Sequence, residues 1–233
     1  LIPGDCLDPI FCVNQLTTKT LGRAINHYEH TITSSNTLVK QMAVQGAPSG
    51  SLCLCECQTA GKGRLGRTWS APAGQAILMS VLLRPKLPPK NAPLITLATA
   101  MAMAHAVREV TGIDAQIKWP NDLLLNGKKI VGILCEVAPD GHSLVVGIGI
   151  NLAQPQEYFD MAGLPHGTSL LLQGVNVDLD TDPEWLAQYM TDFGFDRALY
   201  TYEEQGFAPY REQYKAQCVN LGRRVTYDGG AGI

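Results

Sequence analysis

Gly61-Lys62-Gly63-Arg64-Leu65-Gly66-Arg67-Thr68-Trp69-Ser70-Ala71-Pro72-Ala73-Gly74 is the stretch on which the reading of this chain turns. Gly61, Gly63 and Gly66 match the Gly-x-Gly-x-x-Gly spacing of a dinucleotide-binding turn, and the run from Leu52 to Cys57 ahead of them reads as a strand. A doubly wound sheet needs a helix directly after such a turn, with the pyrophosphate on its N-terminus. Here Trp69 to Gly74 has no helical period and reads as loop. A Walker A loop is excluded as well, because no Gly-Lys-Ser/Thr ending is present. What remains is a loop in which glycines alternate with Lys62, Arg64 and Arg67 and a tryptophan closes the run. Glycine lets the backbone approach a ligand closely. The cations supply charge-assisted hydrogen bonds to carboxylate and phosphate, and Trp69 offers an apolar lid or a stacking face. Alone, the loop states an anion clamp; the alternative is a flexible basic surface loop.

Two further segments sharpen it. Lys118-Trp119-Pro120-Asn121-Asp122 leads into the strand-like Leu123-Leu124-Leu125, the turn Asn126-Gly127 and a return strand from Lys128 to Glu136. Asn-Gly between apolar runs is a strong hairpin signal. Asn, Asp and Lys near the hairpin ends can hold a metal-bound phosphate, whereas Lys128 reads as a solvated lysine. Val145-Val146-Gly147-Ile148-Gly149-Ile150-Asn151-Leu152 sets glycines inside a β-branched run, which marks close approach of a ligand or of another backbone.

Around these segments, Ser35 or Asn36 is expected to cap a helix running to Gly46, with Leu38, Met42 and Val44 buried. Gln75 to Leu83 reads as a strand, Ala92 to Val110 as the central helix, and Ala115 to Lys118, Lys129 to Val137 and Ser143 to Leu152 as strands. Pro155 to Gly174 reads as loop, Pro183 to Tyr202 as one or two helices, and Pro209 to Cys218 as the last helix. Residues 1 to 19 are irregular. Without strict βαβ alternation the order favours an α+β sheet with helices on one face.

Composition sets the outer bounds. The chain has 233 residues, 45% hydrophobic and 17% charged, enough for a sizeable core. Its 18 basic and 21 acidic residues give a net charge of −3, which argues against a general nucleic-acid binder. No stretch approaches the roughly 20 apolar residues of a membrane helix. Seven cysteines show no paired metal spacing. Cys53, Cys55 and Cys57 share one face of their strand and read as small buried hydrophobes, as expected in a reducing compartment. His27 and His30 have no cluster to support them as ligands.

Together, Gly-Lys-Gly-Arg-x-Gly-Arg-x-Trp, Lys-Trp-Pro-Asn-Asp with Lys-Ile-Val-Gly downstream, and Gly-Ile-Gly-Ile-Asn resemble biotin protein ligases. Thr33-Ser34-Ser35-Asn36 is similar to the start of a helix in that family, and Gly206 to Val225 to its closing helix and final strand. The match runs in consistent order over roughly residues 20 to 225. The resemblance implies a mixed, largely antiparallel sheet in a catalytic domain over 20–221, with 222–233 as the start of a truncated or absent SH3-like barrel. It implies ATP-dependent ligation of biotin to a lysine of a biotin carboxyl carrier domain, through biotinyl-5′-AMP with Mg²⁺. Residues 1–19 are not the helix-turn-helix module of those relatives that repress transcription, so no nucleic-acid or membrane partner is expected. The oligomer is a monomer or a homodimer, and the expected compartment is the cytoplasm, with a mitochondrion or other organelle as the alternative.

Site roles follow by resemblance. Ser34, Ser35 and Gln58 would bind the ureido ring. Gly61 to Arg67, Lys62 included, would close over biotin and adenylate. Arg64 would reach the carboxylate and α-phosphate, Arg67 the triphosphate, and Trp69 the adenine. Asn121, Asp122 and Asn151 would lie near ATP and Mg²⁺. Lys129 would stand at the reacting centre, and Gly132, Gly147 and Gly149 would admit biotin. Lys129, Arg64 and Asp122 are the catalytic candidates. A lipoate or octanoate enzyme of the same fold is the runner-up, although its Arg-Arg-x-Ser-Gly-Gly-Gly type loop is absent. A biotin-binding regulator without turnover is the third reading.

Overall fold

A computed structural model describes residues 18–85, 92–176 and 205–224. The expected helices over 183–202 and the strand beginning near Arg223 fall largely or wholly outside these residues, as do residues 1–17. Among the described residues, seven strands form one sheet: β1 (Asn26–Ile32), β2 (Leu52–Gln58), β3 (Ala76–Leu83), β4 (Gln116–Lys118), β5 (Asp122–Leu125), β6 (Lys128–Val137) and β7 (Leu144–Asn151). Their order is β1-β2-β3-β7-β6-β5-β4. β1 and β2 pair in parallel and every other neighbouring pair is antiparallel.

Strand alternation divides the core in two. Ile77, Met79, Val81 and Leu83 of β3 face one side with Leu52, Leu54, Val146, Ile148 and Ile150, and there the long helix α2 (Ala92–Thr111) buries Ile95, Met103 and Val107. Complete burial of one such side chain stabilises by about 1.5–3 kcal/mol. The intervening positions Cys53, Leu82 and Val145 face the other side, against Val39, Met42 and Ala43 of α1 (Ser35–Val44). Helices are thus divided: α2 takes the face expected for them, and the shorter α1 covers part of the other, leaving the rest of that face for the site.

Most expected elements lie within two residues of their expected limits. Four corrections stand. β1 was not anticipated; Asn-His-Tyr-Glu-His-Thr-Ile carries little apolar patterning because, as an edge strand, it is half exposed. Within α1, Met42 is buried as expected, but Val44 is exposed and Leu38 only partly buried, their places in the apolar stripe being taken by Ala43 and Val39. The N-cap is Ser34, in extended conformation, and neither Ser35 nor Asn36. The expected loop over 155–174 also contains a short helix, α3 (Gln156–Met161), whose Phe159 is fully buried against Gly167. The last helix, α4 (Arg211–Gln217), ends with the Val219 amide donating to the Ile117 carbonyl at 2.9 Å.

Cys53 and Cys55 are fully buried and unpaired, as read, whereas Cys57, near the end of β2, is only partly buried. Burial pushes the Cys53 thiol up to about 12, with Glu29 adding to it, so the thiolate is inaccessible at neutral pH. Among the described residues no His, Cys, Asp and Glu cluster suits a metal, and no helix is long and apolar enough to cross a membrane.

Candidate functional site

The site is assembled on the α1 face from three chain segments. The first is the passage from β1 into α1. Ser34 is 2% exposed and its Oγ has no partner. Gln58, closing β2, accepts the Ser35 amide at 2.8 Å through Oε1, and Ser35 Oγ lies 3.2 Å from the same atom. A backbone N–H can only donate, so the Gln58 amide is oriented with its two Nε2 donors turned away from the helix. Behind Ser35, Ser80 Oγ sits 2.7 Å from Ser35 Oγ and 2.6 Å from Asn36 Oδ1. Asn36 Nδ2 donates to Glu136 Oε2 at 2.8 Å, and Lys40 Nζ lies 2.6 Å from Glu136 Oε1. Burial would raise the Glu136 carboxyl, yet the hydrogen bonds from Lys40 and Asn36 and the charges of Lys40 and Lys62 hold it below the ordinary carboxylate range.

The second segment is the cationic loop. Lys62 bridges to Thr68, the Gly63 amide donates to the Arg67 carbonyl at 2.7 Å, and the Trp69 amide donates to the Gly61 carbonyl at 3.0 Å. The loop is therefore a small closed finger. A side chain at Gly61 would run into the Trp69 carbonyl, which accounts for glycine there. At the tip, Leu65 takes φ +56° and is 80% exposed. Arg64 Nη1 donates to Asn121 Oδ1 at 3.1 Å, linking the finger to the hairpin.

The hairpin is the third segment, and it contains a bulge. Leu123 opposes Val131 and Leu124 opposes Lys129, so Ile130 is the extra residue. Ile130 and Val131 both enter the core beneath α2. Lys129 and Gly132, three apart, would lie on opposite faces of a regular strand; the bulge brings them to one. Lys129 Nζ stands 3.2 Å from where a Gly132 Cβ would be, 5.2 Å from the Trp69 ring centroid and 2.7 Å from Asp122 Oδ1. That oxygen makes a close ion pair but no aligned hydrogen bond.

The glycines of β6 and β7 provide room for protein side chains. The face of Gly147 is filled by Asn36, and those of Gly132 and Gly149 by the Trp69 indole, whose Nε1 is buried without a partner. Gly147 and Gly149 are alternate residues of one strand, so the Ser34–Asn36 cluster and the indole stand about 7 Å apart. The segment after β7 braces this end. Asn151 Nδ2 donates to the Thr168 carbonyl and its Oδ1 accepts from Gln154 Nε2, both at 2.9 Å. The Lys129 amide donates to the His166 carbonyl at 2.7 Å. Tyr158 Oη lies 3.1 Å from Ser70 Oγ, beside Trp69.

Residues 28–152 match the model of the biotin/lipoate A/B protein ligase family. The chain belongs to this family. It is 32% identical over 218 residues to the bifunctional ligase/repressor BirA of Bacillus subtilis, an alignment that takes in 90% of this chain and 64% of that protein. It is 33% identical to the biotin–[acetyl-CoA-carboxylase] ligase of Paracoccus denitrificans, over 77% of this chain and 75% of the relative. The biotin protein ligase of Leishmania major in complex with biotinyl-5-AMP superposes with a TM-score of 0.68 and 27% identity, covering 90% of this chain and 87% of that one. The fold expected from the resemblance is the fold observed.

Within this ligase-family frame the expected residues fall into three groups. Ser34, Ser35, Gln58, Trp69, Asp122, Lys129, Gly132 and Gly149 converge on one face, joined at its edge by Arg64 and Asn121. Lys62 and Arg67 are exposed on the finger. Gly147 and Asn151 contact protein groups: one accommodates Asn36, the other has its amide occupied at both ends by the following segment. Ser80, Glu136 and Tyr158 were not anticipated. Ser80 carried a signal, being the one polar residue of Ala-Ile-Leu-Met-Ser-Val-Leu-Leu and completely buried; Tyr158 carried none.

Proposed function

We propose that this chain activates biotin with ATP and transfers it to a lysine of a biotin carboxyl carrier domain, in the reducing interior of the cell. The observation that carries this reading is the convergence on one sheet face of a buried, unpartnered hydroxyl (Ser34) and oriented amide donors (Gln58) with a lysine (Lys129) packed on an indole. A cyclic urea supplies one carbonyl acceptor and two N–H donors, which complements the first end. A carboxylate and a phosphate complement the second.

In the first step a biotin carboxylate oxygen attacks the α-phosphorus of ATP, the bond to pyrophosphate breaks, and a mixed anhydride forms. In the second, the carrier lysine's neutral amine attacks the acyl carbon, the carbon–oxygen bond breaks, AMP leaves and the amine loses a proton. The first step brings two anions together and the second develops negative charge on the acyl oxygen and the departing phosphate, so the contribution asked of the chain is positioning and electrostatic stabilisation. Lys129 stabilises the charge that develops on phosphate and acyl oxygens, with Asp122 holding its ammonium. Arg64 bridges carboxylate and α-phosphate, Arg67 and Lys62 offset the remaining phosphate charge, and Trp69 separates the reacting groups from water. Magnesium fits one carboxylate plus phosphate oxygens; Asp122 is the carboxylate that would hold it, and the ion would neutralise phosphate charge.

Pyrophosphate release from ATP, Mg²⁺ and biotin tests the reading. Biotin should be preferred over octanoate by on the order of 10⁴-fold, because a plain acyl chain leaves the buried polar groups unpaired. Equal release with octanoate would shift the assignment to the acyl-chain branch of the family.

A further inference from the structure

Resting on the biotin reading, we propose that Glu136 is a positioning residue that sets the hydrogen-bonding sense of Ser35 toward the ligand through Asn36 and Ser80. The chain of reasoning is a proton count. An ionised carboxylate only accepts, so the Asn36 atom 2.8 Å from Glu136 Oε2 is the Nδ2 donor, and Oδ1 faces Ser80. Asn36 Oδ1 lies 2.6 Å from Ser80 Oγ, a distance that requires a proton between them, and only Ser80 can provide it. The 2.7 Å separation between Ser80 Oγ and Ser35 Oγ then requires the Ser35 proton. Ser35 Oγ is left without a proton for Gln58 and with its lone pairs unfilled, in a residue only 4% exposed. A buried hydroxyl in that state accepts from an incoming N–H and repels an oxygen lone pair.

Glu136 thus acts at a distance of three side chains. Lys40 holds its other oxygen at 2.6 Å, so it anchors the carboxylate without setting the relay's direction. Glu136→Gln keeps the shape and offers a donor to Asn36. The Asn36 amide then turns over, giving up only its long 3.4 Å contact with the Leu134 carbonyl, Ser80 donates to Ser35, and Ser35 donates to Gln58 Oε1 at 3.2 Å. The ligand N–H loses its dedicated acceptor. Deleting the middle link, Ser80→Ala, has the same consequence at Ser35.

The experiment measures calorimetric affinities, without ATP, for biotin and for the two cyclic carbamates in which one ureido N–H is replaced by oxygen. Wild type should favour biotin over at least one carbamate by roughly 10–100-fold, the effect of one unsatisfied buried group. Glu136→Gln and Ser80→Ala should each narrow that ratio by about tenfold, and Lys40→Ala should leave it within about twofold. Failure of wild type to bind biotin would overturn the function reading itself. Biotin binding with an unchanged ratio in Glu136→Gln, or in Ser80→Ala where Glu136→Gln does not fold, would overturn the relay alone. So would an equal narrowing in Lys40→Ala.

Discussion

Lys128 and Lys129 are adjacent in the sequence, and only Lys129 stands over Gly132 and against Trp69. Lys129→Ala is expected to slow both half-reactions by about 10²–10³-fold, the usual cost of removing a donor from a developing charge. Lys128→Ala should stay within a few-fold; pyrophosphate release and single-turnover transfer from isolated adenylate read the two steps separately. Arg64 touches Asn121 and otherwise projects to solvent, so its substitution leaves the core intact. Arg64→Gly should form adenylate yet release it roughly 10–100-fold faster, seen as biotinylation of an unrelated lysine-rich protein; no excess labelling over wild type would remove Arg64 from the retaining role. Residue types in the clamp were legible because glycine, arginine and lysine alternate in one short stretch. The links made by Ser80 and Glu136 were not, since their partners lie 44 to 100 positions away along the chain.

At the scale of elements, hairpin, central helix and inner strands were readable from turn chemistry and apolar runs, whereas the bulge at Ile130 was not. A single extra residue leaves no mark in an already apolar run, and only the pairing of Leu123 and Leu124 reveals it. β1 escaped because its exposed, polar residues lack the alternation that identifies a half-buried strand. The two glycines of β7 lend themselves to a paired test. Gly149→Ala would set a methyl 2.5 Å from the Trp69 ring, and Gly147→Ala would drive one into Asn36. Each should cost about 1–3 kcal/mol of stability by overpacking, measured from denaturant midpoints. Gly149→Ala alone should alter tryptophan emission, because only it displaces the indole.

Across the whole molecule, the site helix is held in place at its far end. Arg84 donates to the Ala43 and Ala47 carbonyls at 2.8 and 2.9 Å, and reaches Asp140 at 3.3 Å and Ser143 at 2.8 Å. Burial would raise the Asp140 carboxyl, but hydrogen bonds from Ser143 Oγ, the Ser143 amide and the His142 amide lower it from 3.8 to about 2. A depressed carboxyl binds fewer protons folded than unfolded, so its contribution is present above about pH 4 and is lost as the pH falls toward 2. Asp140→Asn should therefore lower the thermal midpoint at neutral pH, and the two proteins' midpoints should converge in that acid window; parallel curves down to pH 2 would assign the stabilisation elsewhere. Fold class was legible at this scale because motif order survives in the sequence. The division of helices between two faces was not, since it depends on which alternate set of strand residues meets which helix.

Gln58 joins two of these scales in one side chain. It caps the first amide of α1, whose N-terminal turn has no acidic residue and no side-chain cap of its own. The aligned peptide dipoles of a helix place about half a positive charge at that end, here directed at the site and only partly compensated, by the Gln58 oxygen. An electron-rich carbonyl oxygen arriving there completes the cap, so ligand occupancy and helix fraying draw on the same free energy. Saturation with biotin should then slow amide hydrogen exchange through the first turns of α1 more than in α2, even though α2 is twice as long and more deeply embedded.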